Sequence, residues 1–434
     1  MTLKSAITQS NQASSSTDPQ DCSQDCLMIL MKLSGKDSPG ITAEVTQILA
    51  LHKINILDMG QAVIQRLLSL SFLFEADSTL CDIEKMKVEL FSKAEDLGLK
   101  LEFEVIHPDS PPSASSKYHP SGRLKHYVLT LLADPVSARA LHEVTKILAR
   151  LRVNIDFIKR LSEGSFSCVE MGISSFERLD EFTLRKDLLL ISKTFEVDVA
   201  LQAEGLYRRA KRLVVLDMDS TLIQSEVIDE LAKEKGVYKE VSAITHRAMM
   251  GEMNFSESLH LRCQTLQGLN GSDLERVYKR IQLTPGAEPL IQVLKKLGYK
   301  IAVISGGFTF VAEKLKHKLG LDYAYANVLE IQGGMLTGRV LPPIIDAQRK
   351  ADLLEVIAQQ EKIELDQVIA VGDGANDLLM LEKAGLGIAF NAKMIVREKA
   401  DLAISQKNMK SILYLLGLSE REVSEAFLNT QGPV

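Results

Sequence analysis

The sequence predicts an α/β fold: a doubly wound, Rossmann-like parallel-sheet core with a small helical cap, preceded by two α+β domains. Three observations lead to this prediction. Segments near the N-terminus follow the order βαββαβ, that unit is repeated once, and buried strands alternate with helices in the C-terminal half. The length of 434 residues suits about three domains of ordinary size.

The first α+β domain is expected over residues 26–106, after a polar segment at residues 1–25 that we expect to be a flexible tail. Its helices and strands are predicted from the spacing of apolar residues. In chain order they are a strand at Cys26–Leu33, a helix at Ile41–His52, strands at Ile54–Ile64 and Leu67–Glu75, a helix at Ile83–Leu97 and a strand at Leu101–Ile106. Ser and Pro are frequent in residues 107–122, which predicts a linker.

The second α+β domain, expected over residues 123–203, repeats the first. The Glu-Val-Thr segment that begins at Glu44 returns at Glu143, and the Asn-Ile pair at Asn55 returns at Asn154, so both are offset by 99 residues. A constant offset over separate segments indicates two copies of one structural unit.

The βαββαβ order, with a Gly-x-Asp-x-x-Gly turn after the first strand, resembles the ACT domain, a regulatory module that binds amino acids. The resemblance implies a regulatory site at Gly35, Asp37 and Gly40 for L-serine or another amino acid. Glycines allow a ligand to approach closely, and N–H groups at a helix start can hold its carboxylate. The second copy has no glycine at residues 133–137, so ligand binding there stays open. The alternative is that both copies only pack or dimerise, and exposed sheet edges favour a homodimer.

Composition argues against several kinds of partner. The net charge of −6 and the lack of a Lys/Arg-rich patch predict that the chain binds neither nucleic acid nor a membrane surface. No apolar run approaches the ~20 residues that cross a bilayer. The first residues do not resemble a signal peptide, and five scattered cysteines do not suggest a disulfide framework. A cytoplasmic location is therefore expected.

The C-terminal domain, expected over residues 204–434, begins with an apolar strand that two carboxylates follow. Its predicted buried strands are Leu213–Leu216, Lys300–Ile304, Val368–Val371, Gly387–Phe390 and Leu402–Ile404. Asp217 and Asp219 come directly after the first strand, at the edge of a parallel sheet where ligands bind. Two carboxylates at the end of a fully buried strand need a cation or a chemical role to offset their repulsion.

Further polar residues are expected at the same edge of the sheet. Lys350 lies in a predicted helix at 346–360, where its charge could offset carboxylate and phosphate charge. The others follow the second and third strands, and they are Ser305, Gly306, Asp373, Asn376 and Asp377. Each signal is weak alone, but their order at successive strand ends points to one site.

This set resembles the haloacid dehalogenase superfamily of phosphotransferases and, within it, the phosphoserine phosphatases. The motifs that carry the resemblance are Asp217-x-Asp219-Ser-Thr, Val-Ile-Ser305-Gly-Gly-Phe, Val-Gly-Asp373-Gly-Ala-Asn-Asp377 and the segment Met249–Phe255 with Arg262. The resemblance covers about residues 212–416. It implies Mg²⁺-dependent hydrolysis of O-phospho-L-serine through an aspartyl-phosphate intermediate, the last step of L-serine biosynthesis, with serine as a plausible feedback effector.

The resemblance also assigns roles at the phosphoryl group. Asp217 would be the nucleophile, and Asp219 would protonate the leaving oxygen and then activate water, so their pKa values should differ. Mg²⁺ would be held by carboxylates of Asp217 and Asp373 and by the backbone carbonyl of Asp219, with Asp377 supporting it. The residues expected to bind the phosphoryl oxygens or the nucleophile are Ser305, the Gly306 amide, Lys350 and Asn376.

The long insertion after Asp219 looks like the family's small helical cap, at about residues 226–283. In that cap Glu226 would accept the substrate ammonium, and Arg262 would clamp its carboxylate. Met249 and Phe255 would be apolar lid residues that help to exclude water.

Two alternatives remain open at this point. The same core can act on another small phosphomonoester, or transfer the phosphoryl group to another alcohol such as homoserine. A protein of another class, an amino-acid sensor with a relic phosphatase domain, is disfavoured because Asp217, Asp219, Ser305, Lys350 and Asp373 are all present. A true haloacid dehalogenase is disfavoured because carbon–halogen displacement needs neither Asp219 nor the magnesium carboxylates.

Overall fold

The computed structural model describes residues 26–77, 79, 81–106, 125–162, 166–175 and 179–428. The predicted tail at 1–25 and the predicted linker at 107–122 lie outside these residues. Contacts divide the chain into two units, Met1–Ser113 and Ala114–Val434, and each is described by itself.

The first unit contains one βαββαβ domain. Its elements are β1 (Cys26–Lys36), α1 (Ile41–Leu51), β2 (Asn55–Ile64), β3 (Leu67–Asp77), α2 (Ile83–Asp96) and β4 (Leu99–Ile106). The strands form an antiparallel sheet in the order β2-β3-β1-β4. Buried and more exposed residues alternate along β3, because one face of the sheet packs on α1 and α2.

The second unit begins with the other copy of this domain. Its elements are β5 (Lys125–Ala133), α3 (Ala138–Arg150), β6 (Asn154–Arg160), β7 (Ser167–Ser175), α4 (Glu181–Phe195) and β8 (Asp198–Ala203). The strand order β6-β7-β5-β8 repeats that of the first copy. Here β5 and β7 are buried along nearly their whole length, since the sheet is covered on both faces. Leu131 and Met171 pack on the domain's own helices, whereas Leu132 and Cys168 join the core of the C-terminal domain.

The C-terminal domain alternates strands and helices around a seven-stranded sheet. Its elements are β9 (Leu213–Leu216), α5 (Val227–Lys235), α6 (Tyr238–Met249), α7 (Phe255–Thr265), α8 (Gly271–Arg280), α9 (Ala287–Lys296), β10 (Lys300–Phe308), α10 (Thr309–Leu319), β11 (Tyr323–Gln332), β12 (Met335–Leu341), α11 (Ala347–Gln360), β13 (Val368–Gly372), α12 (Leu378–Lys383), β14 (Leu386–Phe390), α13 (Met394–Lys399), β15 (Leu402–Ile404), α14 (Ser411–Leu415) and α15 (Glu420–Leu428). The sheet order is β12-β11-β10-β9-β13-β14-β15, and β9 lies at its centre. Only β12 pairs antiparallel within this sheet.

Helices cover both faces of this sheet. Val214 and Leu216 of β9 pack into the layer that contains α9 and α10, while Leu213 and Val215 pack into the layer that contains α11 and α12. A strand that is buried on both faces usually consists of consecutive apolar residues, and β9 has such a sequence. The doubly wound fold class is therefore confirmed. Helices α5–α8 form an insertion between β9 and β10, in the region where the cap was predicted.

The list of predicted strands in this domain was incomplete, because β11 and β12 were missed. They form an antiparallel pair at the edge of the sheet, joined at Gly333 and Gly334, and both strands have several half-buried or exposed positions. A strand of this kind has no continuous apolar run by which it could be recognised. Within the described part of the chain, no helix has the length and apolarity needed to span a bilayer.

Candidate active site

The site is built at the carboxyl end of β9, where the chain turns sharply. The Asp217 amide donates a hydrogen bond to the Val371 carbonyl of β13 at 2.9 Å, which fixes the first carboxylate between two central strands. Ser220 follows with a φ of 55°, a left-handed conformation, so that the turn brings Asp219 back to the same side. Asp217 and Asp219 are both buried.

Lys350 of α11 links two carboxylates beneath the site. Its ammonium donates to Asp217 Oδ1 and to Asp377 Oδ1, each at 2.7 Å, and its side chain is fully buried. Burial alone would lower the pKa of Lys350, but the two carboxylates outweigh it and hold that pKa above its ordinary value. Burial and the neighbouring Asp377 raise the pKa of Asp217, while Lys350 opposes this rise.

Asp219 is held by donors from the cap and from β10. Its Oδ1 accepts from the Val227 amide at 2.8 Å, and its Oδ2 accepts from the Ser305 hydroxyl at 3.0 Å. Burial, followed by the charge of Glu226, raises the pKa of Asp219 to about 7. A carboxyl group with this pKa can hold or release a proton near neutral pH, as a general acid and base must.

Three carboxylates form a group that can hold a metal ion. Single oxygens of Asp217, Asp373 and Asp377 lie within 4.8 Å of one another. The Thr221 hydroxyl donates to Asp373 Oδ1 at 2.9 Å, and the Gly374 amide donates to Asp377 Oδ2 at 3.0 Å. Burial and the charge of Asp377 raise the pKa of Asp373 to about 7. Clustered carboxylate oxygens are hard ligands, and a divalent cation would offset their mutual repulsion, so these residues fit a metal site.

The Ser-Gly-Gly segment near the end of β10 is positioned by hydrogen bonds and close packing. The Gly307 amide donates to Ser305 Oγ at 2.8 Å, and a Cβ at Gly307 would lie 2.2 Å from Asp219 Oδ2, so only glycine fits there. The buried Asn327 side chain donates to the Gly306 carbonyl and accepts from the Ile345 amide, each at 2.8 Å.

A cavity of about 730 Å³ lies between these residues and the cap. The Phe255 ring packs over Gly306, where an added Cβ would lie 3.0 Å from the ring. Glu226 accepts a hydrogen bond from the Ser220 hydroxyl at 2.8 Å. Arg262 reaches the cavity while its Nε donates to the Ser258 carbonyl at 3.3 Å, and burial lowers the pKa of its guanidinium.

The structure brings the predicted residues of the C-terminal domain together. Those that line the cavity are Asp217, Asp219, Glu226, Met249, Phe255, Arg262, Gly306, Asp373 and Asn376. Ser305, Lys350 and Asp377 lie buried in contact with these residues through the hydrogen bonds given above. Residues that the sequence analysis did not assign are Thr221, Asp229, Asn327 and Lys393. Thr221 stands in a quoted motif and Lys393 lies three residues after a predicted strand, but Asn327 lies in a strand that was missed.

The predicted regulatory residues lie in the first unit, at the start of α1. Gly40 is the residue before the helix, with a φ of 99°, and no side chain caps the helix N-terminus. The Asp37 amide donates to the Arg66 carbonyl at 2.8 Å. In the second copy Ser137 occupies the corresponding place, and its hydroxyl accepts from the Ala140 amide at 3.1 Å. The two helix starts therefore differ in whether a side chain already uses their N–H groups.

Comparison with known families agrees with this class of fold and site. Residues 211–385 match the family model described as haloacid dehalogenase-like hydrolase. Residues 27–104 and 125–202 each match a model described as ACT domain.

Relatives that align over most of this chain indicate which kind of haloacid dehalogenase-like hydrolase it resembles. The chain is 42% identical to a phosphoserine phosphatase of Streptomyces coelicolor, over 92% of this chain and 94% of the relative. It is 38% identical to the phosphoserine phosphatase SerB2 of Mycobacterium tuberculosis, over 92% of this chain and 95% of the relative. The crystal structure of a probable phosphoserine phosphatase from Vibrio cholerae, in its unliganded form, matches with a TM-score of 0.53 and 34% identity, over 70% of this chain and 88% of that one. The chain belongs to the phosphoserine phosphatase family.

Proposed function

We propose that this protein is a phosphoserine phosphatase, which hydrolyses O-phospho-L-serine to L-serine and phosphate in the last step of L-serine biosynthesis. The observation that carries the proposal is the convergence of Asp217, Asp219 and Lys350 beneath a cavity that also contains Glu226 and Arg262. The first three suit transfer of a phosphoryl group, and the last two suit an amino acid as the leaving group. The names of the two full-length relatives point the same way.

In the first step a carboxylate oxygen of Asp217 attacks phosphorus, and the bond from phosphorus to the serine oxygen breaks. Lys350 fixes the orientation of Asp217 by its 2.7 Å hydrogen bond. Asp219 in its protonated form gives its proton to the departing serine oxygen. Asp219 then takes a proton from the water that hydrolyses the aspartyl phosphate, so the carboxyl group returns to its starting state.

Asp217, Asp373 and the backbone carbonyl of Asp219 are the groups proposed to hold Mg²⁺. When bound, Mg²⁺ supplies positive charge that stabilises the phosphoryl oxygens and keeps the carboxylates ionised. Asp377 already accepts from Lys350 with one oxygen and from the Gly374 amide with the other. Its proposed role is therefore to support the ion, directly or through water. Asn376 and Gly306 line the cavity. Asn376 and the Gly306 amide are proposed to bind the phosphoryl group or the nucleophile.

The cap recognises the serine part of the substrate at two charges. Glu226 is proposed to accept its ammonium, and Arg262 to bind its carboxylate. With the phosphate held below, this makes three charged attachment points for one small molecule. Met249 and Phe255 line the same cavity as apolar residues and would exclude water from it.

The remaining parts of the proposal concern organisation and regulation. We propose that the chain divides into ACT domains at 26–106 and 123–203 and a phosphatase domain at 204–434, with the cap at about 226–283. L-Serine or another amino acid is the proposed effector at Gly35, Asp37 and Gly40, where the start of α1 has no side-chain cap. A homodimer in the cytoplasm is the proposed state, with no nucleic acid or membrane partner.

The test is phosphate release from L-phosphoserine, phosphothreonine and an aryl phosphate, with magnesium or with EDTA. We expect a strong preference for phosphoserine that EDTA abolishes. Conversion of an added acceptor alcohol such as homoserine to its phosphate ester, with loss of phosphoserine and without phosphate release, would support the phosphotransferase instead. If no substrate lost its phosphoryl group, either to water or to an added alcohol, the sensor with a relic phosphatase domain would replace the proposal.

The effector part is tested with added L-serine at a low, fixed substrate concentration. Serine is also the reaction product, so inhibition alone is not informative. We expect Asp37→Ala and Gly40→Ala to reduce the inhibition by serine without changing turnover in its absence, because these residues belong to the first ACT domain. Unchanged inhibition in both variants would indicate product inhibition at the active site.

A further inference from the structure

Lys393 lies at the mouth of the active-site cavity, and no motif considered above includes it. It is the last residue before α13, in the loop that follows β14. Its backbone amide donates to the Asp373 carbonyl at 3.4 Å, so the loop is tied to the segment that carries a candidate metal ligand. Its side chain is exposed and contributes to the cavity lining.

The side chain of Lys393 also reaches the cap. Its ammonium lies 3.9 Å from the Sδ atom of Met249, at the end of α6. Met249 is itself 63% exposed, so this contact marks the rim where cap and core meet. A substrate that enters between cap and core at this rim passes the ammonium group.

The charge of the cavity makes this ammonium significant. Acidic residues dominate the charged lining, and they are Asp217, Asp219, Glu226, Asp229 and Asp373. Arg262 and Lys393 are the lysine and arginine residues among the described lining. Lys350 lies below the cavity and is already bonded to two carboxylates. Within the part of the chain that the structure describes, Lys393 forms no ion pair, so its charge is available to an incoming anion.

We propose that Lys393 is a substrate-recognition residue, which attracts the phosphate group of the substrate into an otherwise acidic cavity. A lysine is suited to this place, because its ammonium is a compact, hydrated charge on a flexible stem that can follow a moving anion. A positive charge at the mouth of a cleft raises the rate at which an anionic substrate enters. This effect weakens as salt screens the charge. This inference rests on the proposed phosphatase function and adds a residue to it.

The test compares Lys393→Gln, Lys393→Glu and Lys393→Arg with Lys399→Gln, in the full-length enzyme. Lys399 is the matched control, since it is an exposed lysine at the other end of the same helix and does not line the cavity. Steady-state kinetics are measured with L-phosphoserine and with an aryl phosphate that has no carboxylate, at low and at high salt. Thermal unfolding of each variant checks that the fold is retained.

We expect Lys393→Gln to lower kcat/KM at low salt by about tenfold for both substrates, with most of the change in KM. Lys393→Glu should lower kcat/KM further, and Lys393→Arg should retain most of it. The difference from wild type should shrink at high salt, and Lys399→Gln should match wild type. An effect on both substrates distinguishes contact with the phosphate from contact with the serine carboxylate.

The inference is overturned if Lys393→Gln behaves as Lys399→Gln does, or if it affects phosphoserine alone. Its failure is separable from failure of the proposed function. If the wild type hydrolyses only the aryl phosphate, the substrate is wrong, and Lys393 is still tested with that compound. If the wild type hydrolyses neither, the function is wrong, and the same variants are compared for binding of inorganic phosphate, with weaker binding by Lys393→Gln as the supporting result and equal binding as the contrary one.

Discussion

Two clusters of buried charged and polar residues lie in the second unit, and we propose that they serve different functions. The catalytic cluster consists of Asp217, Asp219, Asp377 and Lys350, at the floor of a cavity. The docking cluster consists of Glu170, Asp198, Gln202 and Arg208, where the sheet of the second ACT domain meets the phosphatase domain. Both contain a buried ion pair whose charges are shielded from water.

The difference is in how completely each cluster is satisfied. In the docking cluster Arg208 bonds to Glu170 and Gln202, and Asp198 accepts from the Ser405 hydroxyl and amide and from the Gln406 amide. In the catalytic cluster three carboxylates share one lysine. Burial and the charge of Asp377 raise the pKa of Asp217, and burial and the charge of Glu226 raise that of Asp219. Burial also raises the pKa of Asp198 in the docking cluster, but the hydrogen bonds from Ser405 and Gln406 oppose this rise. We therefore propose that the docking cluster helps to hold two domains together, and that the catalytic cluster beside the cavity binds a cation and a substrate.

The largest expected effect is a loss of activity after a substitution in the catalytic cluster. Asp217→Asn should lower turnover of phosphoserine by a factor on the order of 10⁴ or more, because the amide cannot attack phosphorus. Its thermal stability should not fall, since the substitution removes one of several crowded carboxylates. Phosphate release and thermal unfolding are the measurements, and near-normal turnover would contradict the covalent mechanism.

The next largest expected effect is a loss of stability after a substitution in the docking cluster. Arg208→Ala should lower the free energy of unfolding by about 3–5 kcal/mol, because Glu170 loses its buried partner. Turnover at a temperature where the variant remains folded should be unchanged. Denaturant unfolding and phosphate release measure the two quantities.

The control for Arg208→Ala is a substitution of the adjacent residue, Arg209. Arg209 also lies near Glu170, at 3.8 Å, but its side chain is 68% exposed whereas that of Arg208 is 4% exposed. Arg209→Ala should therefore change stability by no more than about 1 kcal/mol. Equal destabilisation by both substitutions would show that the contribution of the Arg208–Glu170 ion pair to stability does not depend on its burial.

A smaller effect sharpens the account of the catalytic cavity. Arg262→Ala should lower kcat/KM for phosphoserine by about 10²- to 10³-fold, because the serine carboxylate loses its partner in a partly buried site. Hydrolysis of an aryl phosphate without a carboxylate should change little. Parallel loss on both substrates would contradict the role of Arg262 in recognition of the leaving group.

The smallest expected effect is a dependence of folding stability on pH. Asp219 and Asp373 have ordinary pKa values of 3.8 and values of about 7 in the fold. The folded state therefore binds more protons than the unfolded chain between these values. Without metal, the contribution of these two groups to stability should be fully present below about 3.8 and should be lost as the pH rises through about 7.

Magnesium should reverse part of this loss, because a cation favours ionised carboxylates. Thermal unfolding with magnesium and with EDTA should show a larger stabilisation by magnesium at about pH 8 than at about pH 5. Asp373→Asn, which cannot ionise at this position, should reduce that difference. An equal increment at both pH values would contradict magnesium binding by these carboxylates.

The carboxylates of the catalytic cluster could be predicted from the sequence because they follow strands that are easily recognised. Leu213–Leu216 and Val368–Val371 are continuous apolar runs, and the ends of parallel strands meet at one edge of the sheet. Asn327 could not be predicted in this way. It lies in β11, an edge strand with mixed burial, and its role depends on the Gly306 carbonyl and the Ile345 amide that flank it in space.

The docking cluster shows another limit of sequence analysis. The repeat from Glu44 to Glu143 correctly predicted two copies of one fold, with the same strand order. The same repeat gave no sign that the second copy buries Glu170 and Asp198 against a neighbouring domain. Contacts of this kind depend on where a whole domain is placed, and local periodicity carries no information on that.

The most direct test of the account is to trap and locate the covalent intermediate. The wild-type enzyme would be mixed with magnesium and L-phosphoserine labelled in its phosphoryl group, quenched rapidly in acid, digested, and mapped by mass spectrometry. The account predicts transient label on the peptide that contains Asp217, absent with EDTA and absent in Asp217→Asn. Phosphate release at the normal rate without label on Asp217, or label on another residue, would contradict it.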